Sequence, residues 1–521
     1  MKTTLKERLL NFYNINEEEY QKLIEPSDIY SFSDGHHFDH MEEAVEMVKS
    51  AIKDLKRIAI YGDYDADGIM GTSILKKMFM MVNYNVDYYI PSRYLDGYGL
   101  TLKYAQKAVE NGVGLLIAVD NGVSAFEGIE YLHNHGVKVL VLDHHTIQDT
   151  LPLADYIIHP TYSHFGEVAS SGAFTAFMFS REFLGFTDKY LATLASISLI
   201  SDMMPLHSYN RRLLKAVIST YQEGEFLSID LLKDNDPFNE NTIGMKIAPK
   251  INALGRMIET DEINKIVEFF TSDDKEVLLN YISWINETNE KRKEASKEAA
   301  EKIKSIAKDE AGIAIICDVK EGLLGLVANN LCTKFHVPTI VFAKEMGGNT
   351  LKGSARAPQG YNIVDIFNEL SDLTIVSGGH ALAGGCSIEE NNFEAFKKRF
   401  NEYIKAHPAV PYVEKTVQLG LTEITFDNYE LINTFSPFGE EWPSPLFEVD
   451  HVLTNALMYS RTGEHIMSYI GQGIKLVGFN LSKDYVSQFG FIDIYGRMKT
   501  STFRGLTTLE FSIKEIEESK K

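Results

Sequence analysis

The chain has 521 residues, of which 44% are hydrophobic and 24% are charged, and it contains three cysteines. This length excludes a single compact core, and three cysteines exclude a disulfide framework and fit a reducing compartment. The formal net charge of −22 excludes nucleic-acid binding through an overall positive field, so a phosphate-bearing partner would need a local basic channel or bound cations.

The N-terminal segment turns acidic where a signal peptide would have its apolar stretch. The longest apolar runs, such as LATLASISLI, have about half of the length that a membrane span requires. We therefore expect a cytoplasmic protein with no membrane partner.

The first third of the chain has the pattern of an α/β domain. Residues 1–50 read as amphipathic helices, and from there to about residue 160 short β-branched runs alternate with helix-length segments: KRIAIYG, VDYYIP, GLLIAVD, VKVLVLDHH and ADYIIHP. This alternation predicts a parallel sheet with helices on both faces.

Residues 165–305 are mostly helical in pattern. They end in the charge-rich stretch NETNEKRKEASKEAAEKIKSIAKDE. Its acidic and basic side chains alternate at helical spacing, which favours a long solvated helix with ion pairs over a binding surface.

A second α/β unit begins near residue 311 and contains the glycine-rich stretches LKGSARAPQG and SGGHALAGG. Residues 415–521 are strand-like and rich in turns, which predicts a small all-β domain such as a five-stranded barrel. We predict five segments: an N-terminal helical segment (1–50), a first α/β domain (51–210), a helical connector (211–305), a second α/β domain (306–408) and the β domain (415–521).

Three alternating carboxylates follow the first predicted strand, at Asp63, Asp65 and Asp67. Residues two apart in an extended chain point the same way, and anions this close require neutralising cations. A calcium EF-hand loop also begins with this pattern, and Gly68 occupies its sixth position. That interpretation fails because the twelfth position is Ile74 and because a strand, not a helix, precedes the loop.

Further polar residues follow later elements of the same predicted domain. Asp120 and the sequence Asp143-His144-His145 come directly after strands, and Asp202 ends an apolar helix. Each aspartate alone would be interpreted as a turn or helix cap. Because ligands gather at the carboxyl ends of parallel strands, the set together predicts a site for two divalent cations, with Asp120 as a candidate bridge.

These motifs resemble a known family. YGDYDADG, VDNG, LDHH and LISDM are similar to the four motifs of the DHH phosphoesterase superfamily, and YIPSRYLDGYGL, APKINALGRM, LKGSARAP and SGGHALAGG resemble the RecJ family of single-strand-specific exonucleases. The resemblance implies a two-lobed α/β core, in which a DHH domain and a DHH-associated domain are joined by a helical connector, followed by a C-terminal oligonucleotide-binding (OB) barrel. It also implies metal-dependent 5′→3′ hydrolysis of single-stranded DNA to 5′-mononucleotides, in recombination and repair.

The resemblance assigns roles to individual residues. Two divalent cations would bind, with Mn²⁺ preferred over Mg²⁺. Their ligands would be five carboxylates and one imidazole: Asp63, Asp65, Asp67, Asp120, Asp202 and His144. Two histidines are candidate catalytic residues: His145 would act on the substrate phosphate or support the ligands, and His380 would face the metals from the opposite lobe. The terminal or scissile phosphate would be held by Arg93, Arg256, Ser354 and Arg356. Tyr61 stands where many relatives have a histidine.

Single-stranded DNA is the expected partner, and the resemblance adds a single-strand-binding protein and a helicase. A second hypothesis keeps the chemistry but assigns short oligonucleotides or cyclic dinucleotides as substrates, which the acidic composition favours and the C-terminal barrel opposes. A pyrophosphatase is a weaker version of it. A third hypothesis, a degenerate scaffold protein, conflicts with the retention of every carboxylate and of the histidine pair.

Overall fold

The computed structural model describes residues 3–30, 38–97, 99–165, 169–302, 310–345, 348–410, 414–471, 473–503 and 506–519. The chain divides into two compact units. We call Ser33–Asp202 with Thr220–Tyr412 the core unit, and Met1–Phe32 with Met203–Ser219 and Val413–Lys521 the terminal unit. Within the described ranges, no helix is both long enough and apolar enough to cross a bilayer.

The first sheet of the core unit is parallel and has the strand order β2-β1-β3-β4-β5. Its strands are β1 (Arg57–Tyr61), β2 (Asp87–Tyr89), β3 (Val113–Val119), β4 (Lys138–Leu142) and β5 (Tyr156–Ile158). All five coincide with the β-branched runs, so the predicted parallel sheet is confirmed. The carboxyl ends of β1, β3 and β4 therefore lie side by side at one edge of this sheet.

Helices pack around this sheet. They are α3 (Met41–Lys53), α4 (Ala66–Met81), α5 (Leu102–Glu110), α6 (Phe126–Asn134), α7 (Gly172–Leu184) and α8 (Lys189–Ser201). Two of them, α4 and α7, begin beside the carboxyl ends of its strands. Helix α4 packs against both α7 and α8. All three are apolar around most of their circumference, as expected for helices buried on several sides.

Residues 227–302 are mostly helical, as their sequence pattern predicted. They contain α10 (Leu227–Lys233), α11 (Glu240–Thr242), α12 (Ala248–Met257), α13 (Lys265–Thr271) and α14 (Lys275–Lys302). Helix α14 includes much of the charge-rich stretch, and it carries ion pairs such as Lys291–Glu287 at 2.7 Å. The sequence-based prediction of a long helix with ion pairs is confirmed for the described part.

The second sheet of the core unit is mixed, with the order β6-β7-β8-β10-β9. Only β6 and β7 are parallel. The strands are β6 (Ile313–Ile316), β7 (Thr339–Lys344), β8 (Thr350–Arg356), β9 (Val376–Gly379) and β10 (Ala383–Glu389), and the helices are α15 (Leu324–Phe335), α16 (Ile363–Glu369) and α17 (Phe393–Ala406).

The terminal unit contains a six-stranded sheet of order β11-β12-β15-β16-β14-β13, where the sequence predicted five strands. Its strands are β11 (Thr416–Gln418), β12 (Leu446–Leu453), β13 (Ile466–Tyr469), β14 (Ile474–Gly478), β15 (Phe491–Phe503) and β16 (Leu506–Glu518). The unit also contains α1 (Leu5–Tyr13), α2 (Glu17–Ile24), α9 (Ser208–Thr220), α18 (Phe426–Asn433) and α19 (Lys483–Val486).

Side-chain contacts explain why helices from distant parts of the chain belong to the terminal unit. Tyr13 of α1 stacks on Trp442 with ring centroids 4.3 Å apart. Arg211 of α9 lies over the same indole ring, 4.7 Å from its centroid, and its guanidinium donates to the carbonyl of Phe435 at 2.7 Å. A sequence pattern does not reveal such long-range packing, so the predicted segment 1–50 and this structural division follow different boundaries.

Candidate metal centre

The turn from β1 into α4 gathers the first three aspartates. The Asp63 carboxylate accepts the backbone N–H of Tyr64 at 2.7 Å, and Asp65 caps α4 by accepting the N–H groups of Asp67 and Gly68 at 3.0 and 3.2 Å. A Cβ at Gly68 would lie 2.4 Å from the backbone nitrogen of Asp63. This position therefore requires glycine, because any side chain would open the turn that brings the carboxylates together.

Asp67 is fixed by groups from two other helices. Its carboxylate accepts the backbone N–H groups of Gly172 and Ala173, both at 2.7 Å, at the N-terminus of α7. The Ser198 hydroxyl of α8 also donates to it. The positive end of α7 and a hydroxyl thus hold a buried carboxylate in one orientation. The sequence analysis missed Ser198, since a serine within an apolar helix gives no signal.

Asp120 follows β3 and lies at the centre of the cluster. Its φ angle of 61° is in the left-handed region, which few residues other than glycine, asparagine and aspartate adopt readily. The Nε2 atom of His144 is 3.1 Å from an Asp120 oxygen and 3.5 Å from oxygens of both Asp67 and Asp202. One imidazole nitrogen therefore faces three carboxylates, at separations that ligands of one shared cation would have.

Asp143 orients both histidines. Its fully buried carboxylate accepts His145 Nδ1–H at 2.8 Å and the backbone N–H groups of His144 and Val123 at 2.8 and 3.0 Å. Burial opposes ionisation of Asp143, but the hydrogen bond and charge of His145 outweigh it and lower the pKa to about 2. The sequence analysis included Asp143 in the set that predicts a site for two cations, but it did not name it among the metal ligands.

The two histidines have opposite pKa shifts. Burial lowers the pKa of His144, which favours the neutral imidazole that a metal ligand must be. Burial also acts against the charged form of His145, but the hydrogen bond to Asp143 and its negative charge raise the pKa of His145 to about 9. In the metal-free protein this shift favours the protonated form of His145, whose Nδ1 is already engaged by Asp143 and whose Nε2–H is available to a phosphate oxygen.

Like charges dominate the rest of the cluster. Burial, then Asp65, raises the pKa of Asp63 to about 8. Burial, then Asp67, raises the pKa of Asp202 to about 8, and burial with four neighbouring aspartates raises that of Asp120 well above its ordinary value. Among the described residues, three groups have ligand atoms within 4.8 Å of one another: Asp120-His144-His145, Asp67-His144-Asp202 and Asp63-Asp65-Asp120.

These residues fit divalent cations. One oxygen of Asp202 is buried and has no hydrogen-bond partner in the described part of the chain, which is costly unless a cation satisfies it. Carboxylate oxygens with one or two imidazole nitrogens suit Mn²⁺ and Mg²⁺. Asp120 belongs to two of the three groups, as expected for a ligand shared between cations.

Tyr61, for which the resemblance gives a histidine in many relatives, packs inside the protein. Its hydroxyl donates to the carbonyl of Gly99 at 2.9 Å, and its fully buried ring packs 4.4 Å from that of Tyr104. The phenol is thus part of the sheet's core, and burial raises its pKa far above the ordinary range. It does not belong to any of the three groups with ligand spacing in the described residues.

The predicted phosphate-binding residues form a basic cluster. Arg93 lies over the Tyr64 ring, 4.2 Å from its centroid, and Arg356 donates to the Ser354 hydroxyl at 3.2 Å. Burial lowers the pKa of Arg256 to about 10, and three further guanidinium groups add to this shift: Arg93, Arg292 and Arg356. Arg93, Arg256 and Arg356 thus lie near one another, and their role in holding a phosphate stays a prediction; the sequence analysis assigned no role to Arg292.

The start of α15 supports the same cluster. A Cβ at Gly325 would lie 2.9 Å from a terminal nitrogen of Arg356 and 3.3 Å from the Ser354 hydroxyl, so the guanidinium rests directly on the first turn of this helix. Arg256 also donates to the carbonyl of Gly322 at 3.0 Å. In contrast, His380 lies exposed in the turn between β9 and β10, and it joins none of the ligand groups found among the described residues. Its predicted role stays a prediction.

The pKa shifts predict how metal stabilises the protein. Asp63 and Asp202 have pKa values of about 8 in the folded protein but about 3.9 in an unfolded chain. The metal-free fold therefore binds more protons than the unfolded chain in this window, and the stability from the protonated carboxyls is lost as pH rises towards 8. Because cations replace these protons, we expect MnCl₂ to raise the melting temperature more at pH 8 than at pH 6.

Scanning fluorimetry with and without MnCl₂ at each pH measures this difference. The Asp63→Asn/Asp202→Asn protein is the control, in which the dependence on pH should flatten. An equal shift at both pH values in the unchanged protein would contradict the proposed ligand set.

Comparison with known proteins places this geometry in a family. Three family models match successive parts of the chain: the DHH family N-terminal domain at residues 57–199, the DHHA1 domain at 309–406 and the RecJ OB domain at 416–515. The single-stranded-DNA-specific exonuclease RecJ of Bacillus subtilis is 30% identical over 93% of this chain, which spans 64% of that protein's length. RecJ of Escherichia coli is 28% identical over 91% of this chain and 90% of its own.

A solved structure shares the fold. RecJ of Thermus thermophilus in complex with Mn²⁺ superposes with a TM-score of 0.84 at 22% identity, over 99% of this chain and 76% of that one. The family models together span the first sheet, the second sheet and most of the C-terminal β region, and the last of them describes the OB domain of RecJ. The chain belongs to the RecJ family of DHH proteins.

Proposed function

We propose that the protein is a metal-dependent exonuclease that degrades single-stranded DNA from its 5′ end and releases 5′-mononucleotides. The observation that carries this proposal is a cluster of converging aspartates and histidines beside a second cluster of partly buried arginines. Metal ligands next to guanidinium groups suit hydrolysis of a phosphodiester near a terminal phosphate. The relatives named above are single-stranded-DNA-specific exonucleases.

Two divalent cations at this site would supply the positive charge that activates a water molecule and stabilises the attacking and leaving oxygens. The residues that would hold them are Asp63, Asp65, Asp67, Asp120, His144 and Asp202. The hydrogen bonds from α7 and from Ser198 keep Asp67 in place. These contacts fix the ligand geometry before substrate arrives, which reduces reorganisation during the reaction.

The chain's own cations would bind the substrate. Protonated His145 can donate Nε2–H to a non-bridging oxygen of the scissile phosphate, because Asp143 occupies Nδ1. Arg93, Arg256 and Arg356 would hold the terminal phosphate, since planar guanidinium groups bind phosphate oxygens in pairs. Together with the metal ions, these groups would provide positive charge where the phosphates bind, although the net charge of the chain is −22.

End-labelled single-stranded DNA tests the proposal. With Mn²⁺ we expect a 5′ label to be released at once as mononucleotide, while a 3′-labelled strand shortens gradually and a duplex is spared. EDTA should abolish both reactions because it removes the cations. Internal cleavage, or early release of the 3′ label, would contradict the proposed direction.

The strongly acidic composition favours a second candidate, a phosphodiesterase for short oligonucleotides, because a negative surface repels long polyanions. A ladder of oligonucleotides separates the two. If only pieces of a few nucleotides disappear, the hydrolytic chemistry stands and the long-strand substrate does not. We place the long-strand activity in recombination and repair, with a single-strand-binding protein and a helicase as partners, which pull-down from cell extract would test.

A further inference from the structure

A basic groove lies between α14 and α15, apart from the metal ligands. It has a volume of about 460 Å³, and its lining includes the side chains of Arg292, Lys293, Lys297 and Lys334, with Glu301 as the one carboxylate. Four cations and one anion therefore line a single depression in a chain whose net charge is −22. Such a concentration of positive charge attracts anions locally despite the overall field.

Most of these cations are not neutralised by the protein. Lys293 pairs with Glu290 at 2.7 Å, but Arg292, Lys297 and Lys334 form no ion pair within the ranges that the structure describes. On the other side of the same helix, Lys291 does pair with Glu287. Three of the four cations that line the groove are thus left without a carboxylate partner among the described residues, which the expectation of a solvated helix with ion pairs does not explain.

Arg292 also bears a buried polar atom that the described residues leave without a hydrogen bond. Its Nε is buried without a hydrogen-bond partner in the described part of the chain, and burial lowers its pKa. The neighbouring Asn330 side chain donates to the Ser296 hydroxyl at 3.3 Å, which ties α15 to α14 at the floor of the groove. A guanidinium that is partly desolvated and unpaired is costly unless an anion binds it.

The groove lies near the basic cluster of Arg93, Arg256 and Arg356. Arg292 is close enough to contribute to the lowered pKa of Arg256, and α15, which forms one wall, begins beneath Arg356 at Gly325. One helix thus contacts the arginine cluster at its first turn and places Lys334 in the groove near its last.

We propose that the groove between α14 and α15 is a second phosphate-binding site, in which Arg292, Lys297 and Lys334 bind phosphate groups. This proposal rests on the proposed function and adds to it a site beyond the metal-facing cluster. The ligand is a nucleotide phosphate, which has two sources: the bound DNA strand, or a free 5′-mononucleotide such as the product.

The test uses the charge-reversal pair Lys297→Glu/Lys334→Glu in the full chain. The matched control is Lys398→Glu/Lys405→Glu on α17, which makes the same change in net charge at exposed positions. Binding of a fluorescent single-stranded oligonucleotide is measured over a range of KCl concentrations, with each pair placed in an Asp120→Asn protein so that the strand is not cut. Inhibition of cleavage by added dAMP is measured with Asp120 intact.

If strand phosphates occupy the groove, the pair lowers the slope of log affinity against log salt by about 1.4, the value for two lost phosphate contacts on a single strand. Affinity at moderate salt then falls on the order of tenfold, and the control pair changes little. If a free nucleotide occupies it, DNA binding is unchanged and dAMP inhibits the groove variant less strongly. The proposal is overturned if the groove pair and the control pair agree in both measurements.

This outcome is separable from failure of the proposed function. The unchanged protein must first degrade single-stranded DNA with Mn²⁺ and stop with EDTA. If it does and the groove pair behaves as the control, the groove proposal alone is wrong. If it does not cleave DNA at all, the proposed function is wrong.

Discussion

An Asp120→Asn protein is expected to keep its fold and to lose nuclease activity by about a thousandfold, the effect of several kcal/mol of lost transition-state stabilisation at a metal centre. Asp120 lies within ligand spacing of both His144 and the Asp63-Asp65 pair. Asparagine tolerates the left-handed backbone, with a φ of 61° at this position. The substitution therefore removes charge from the shared ligand without changing its shape or straining the turn.

The same change should stabilise the metal-free protein. Burial and four neighbouring aspartates raise the pKa of Asp120, which means that its charged form is unfavourable in the fold without cations. A neutral amide removes that repulsion, so we expect a higher melting temperature in EDTA and a smaller response to MnCl₂. Gain of stability with loss of activity is typical of residues retained for function.

Initial rates on labelled single-stranded DNA and thermal unfolding in EDTA measure the two effects together. Asp87→Asn is the control, because Asp87 is an exposed aspartate of β2 in the same sheet. Near-normal rates for Asp120→Asn would show that this carboxylate is not a ligand. A loss of activity accompanied by a fall in melting temperature would indicate damage to the fold instead.

The parts of this site that the sequence predicts are those encoded locally. Asp63, Asp65 and Asp67 follow a strand at a fixed spacing, and every residue needed for that inference lies within one short segment. Asp120 and His144 follow similar strands, and parallel pairing brings such strand ends together. The strand pattern alone therefore sufficed to predict that these side chains lie close together.

The contacts that hold those ligands in place could not be predicted in this way. Ser198 reaches Asp67 across 131 positions of sequence, and the Asn252 side chain accepts the N–H of Ala66 at 2.8 Å from a different helix. Each depends on how helices pack in three dimensions, and a serine or an asparagine has too many ordinary roles for its type to give a signal.

The basic residues show the same limit. Arg93, Arg256 and Arg356 come from three distant segments, and only resemblance to a family connected them before the structure was known. Arg292 lies in a stretch whose charges follow the pattern of a solvated helix. Which of its cations face α15 depends on the packing of α14, so the groove could not be inferred from composition or periodicity.

A Gly172→Ala substitution tests whether shape alone, with all charges retained, controls the activity. A Cβ at Gly172 would lie 2.7 Å from the Cβ of Asp120 and 2.8 Å from its Cα. These are backbone-linked atoms that cannot move aside independently, so Asp120 must shift. We expect a loss of about a hundredfold in the rate of DNA cleavage, since displacement of a reacting group by about 1 Å costs this much.

Helix propensity alone predicts that Gly172→Ala stabilises the protein, whereas the contact with Asp120 predicts a loss of activity. The two effects can therefore be measured separately. Gly172 is the first residue of α7, and replacement of glycine by alanine within a helix is ordinarily stabilising by about 0.5–1 kcal/mol. Gly490→Ala is the control, because a Cβ there meets nothing within 4 Å. Cleavage rates, Mn²⁺ titrations and melting temperatures are compared for the two variants.

If Gly172→Ala cleaves DNA as fast as the control, then the position of Asp120 is not critical and the packing of α7 against the end of β3 has no catalytic importance. If it loses activity but regains it at high Mn²⁺, the substitution has weakened metal binding while the ligands can still assemble. Loss at all Mn²⁺ concentrations would mean that the cations bind in the wrong positions. In both of these cases, a residue without a side chain determines where the central carboxylate lies.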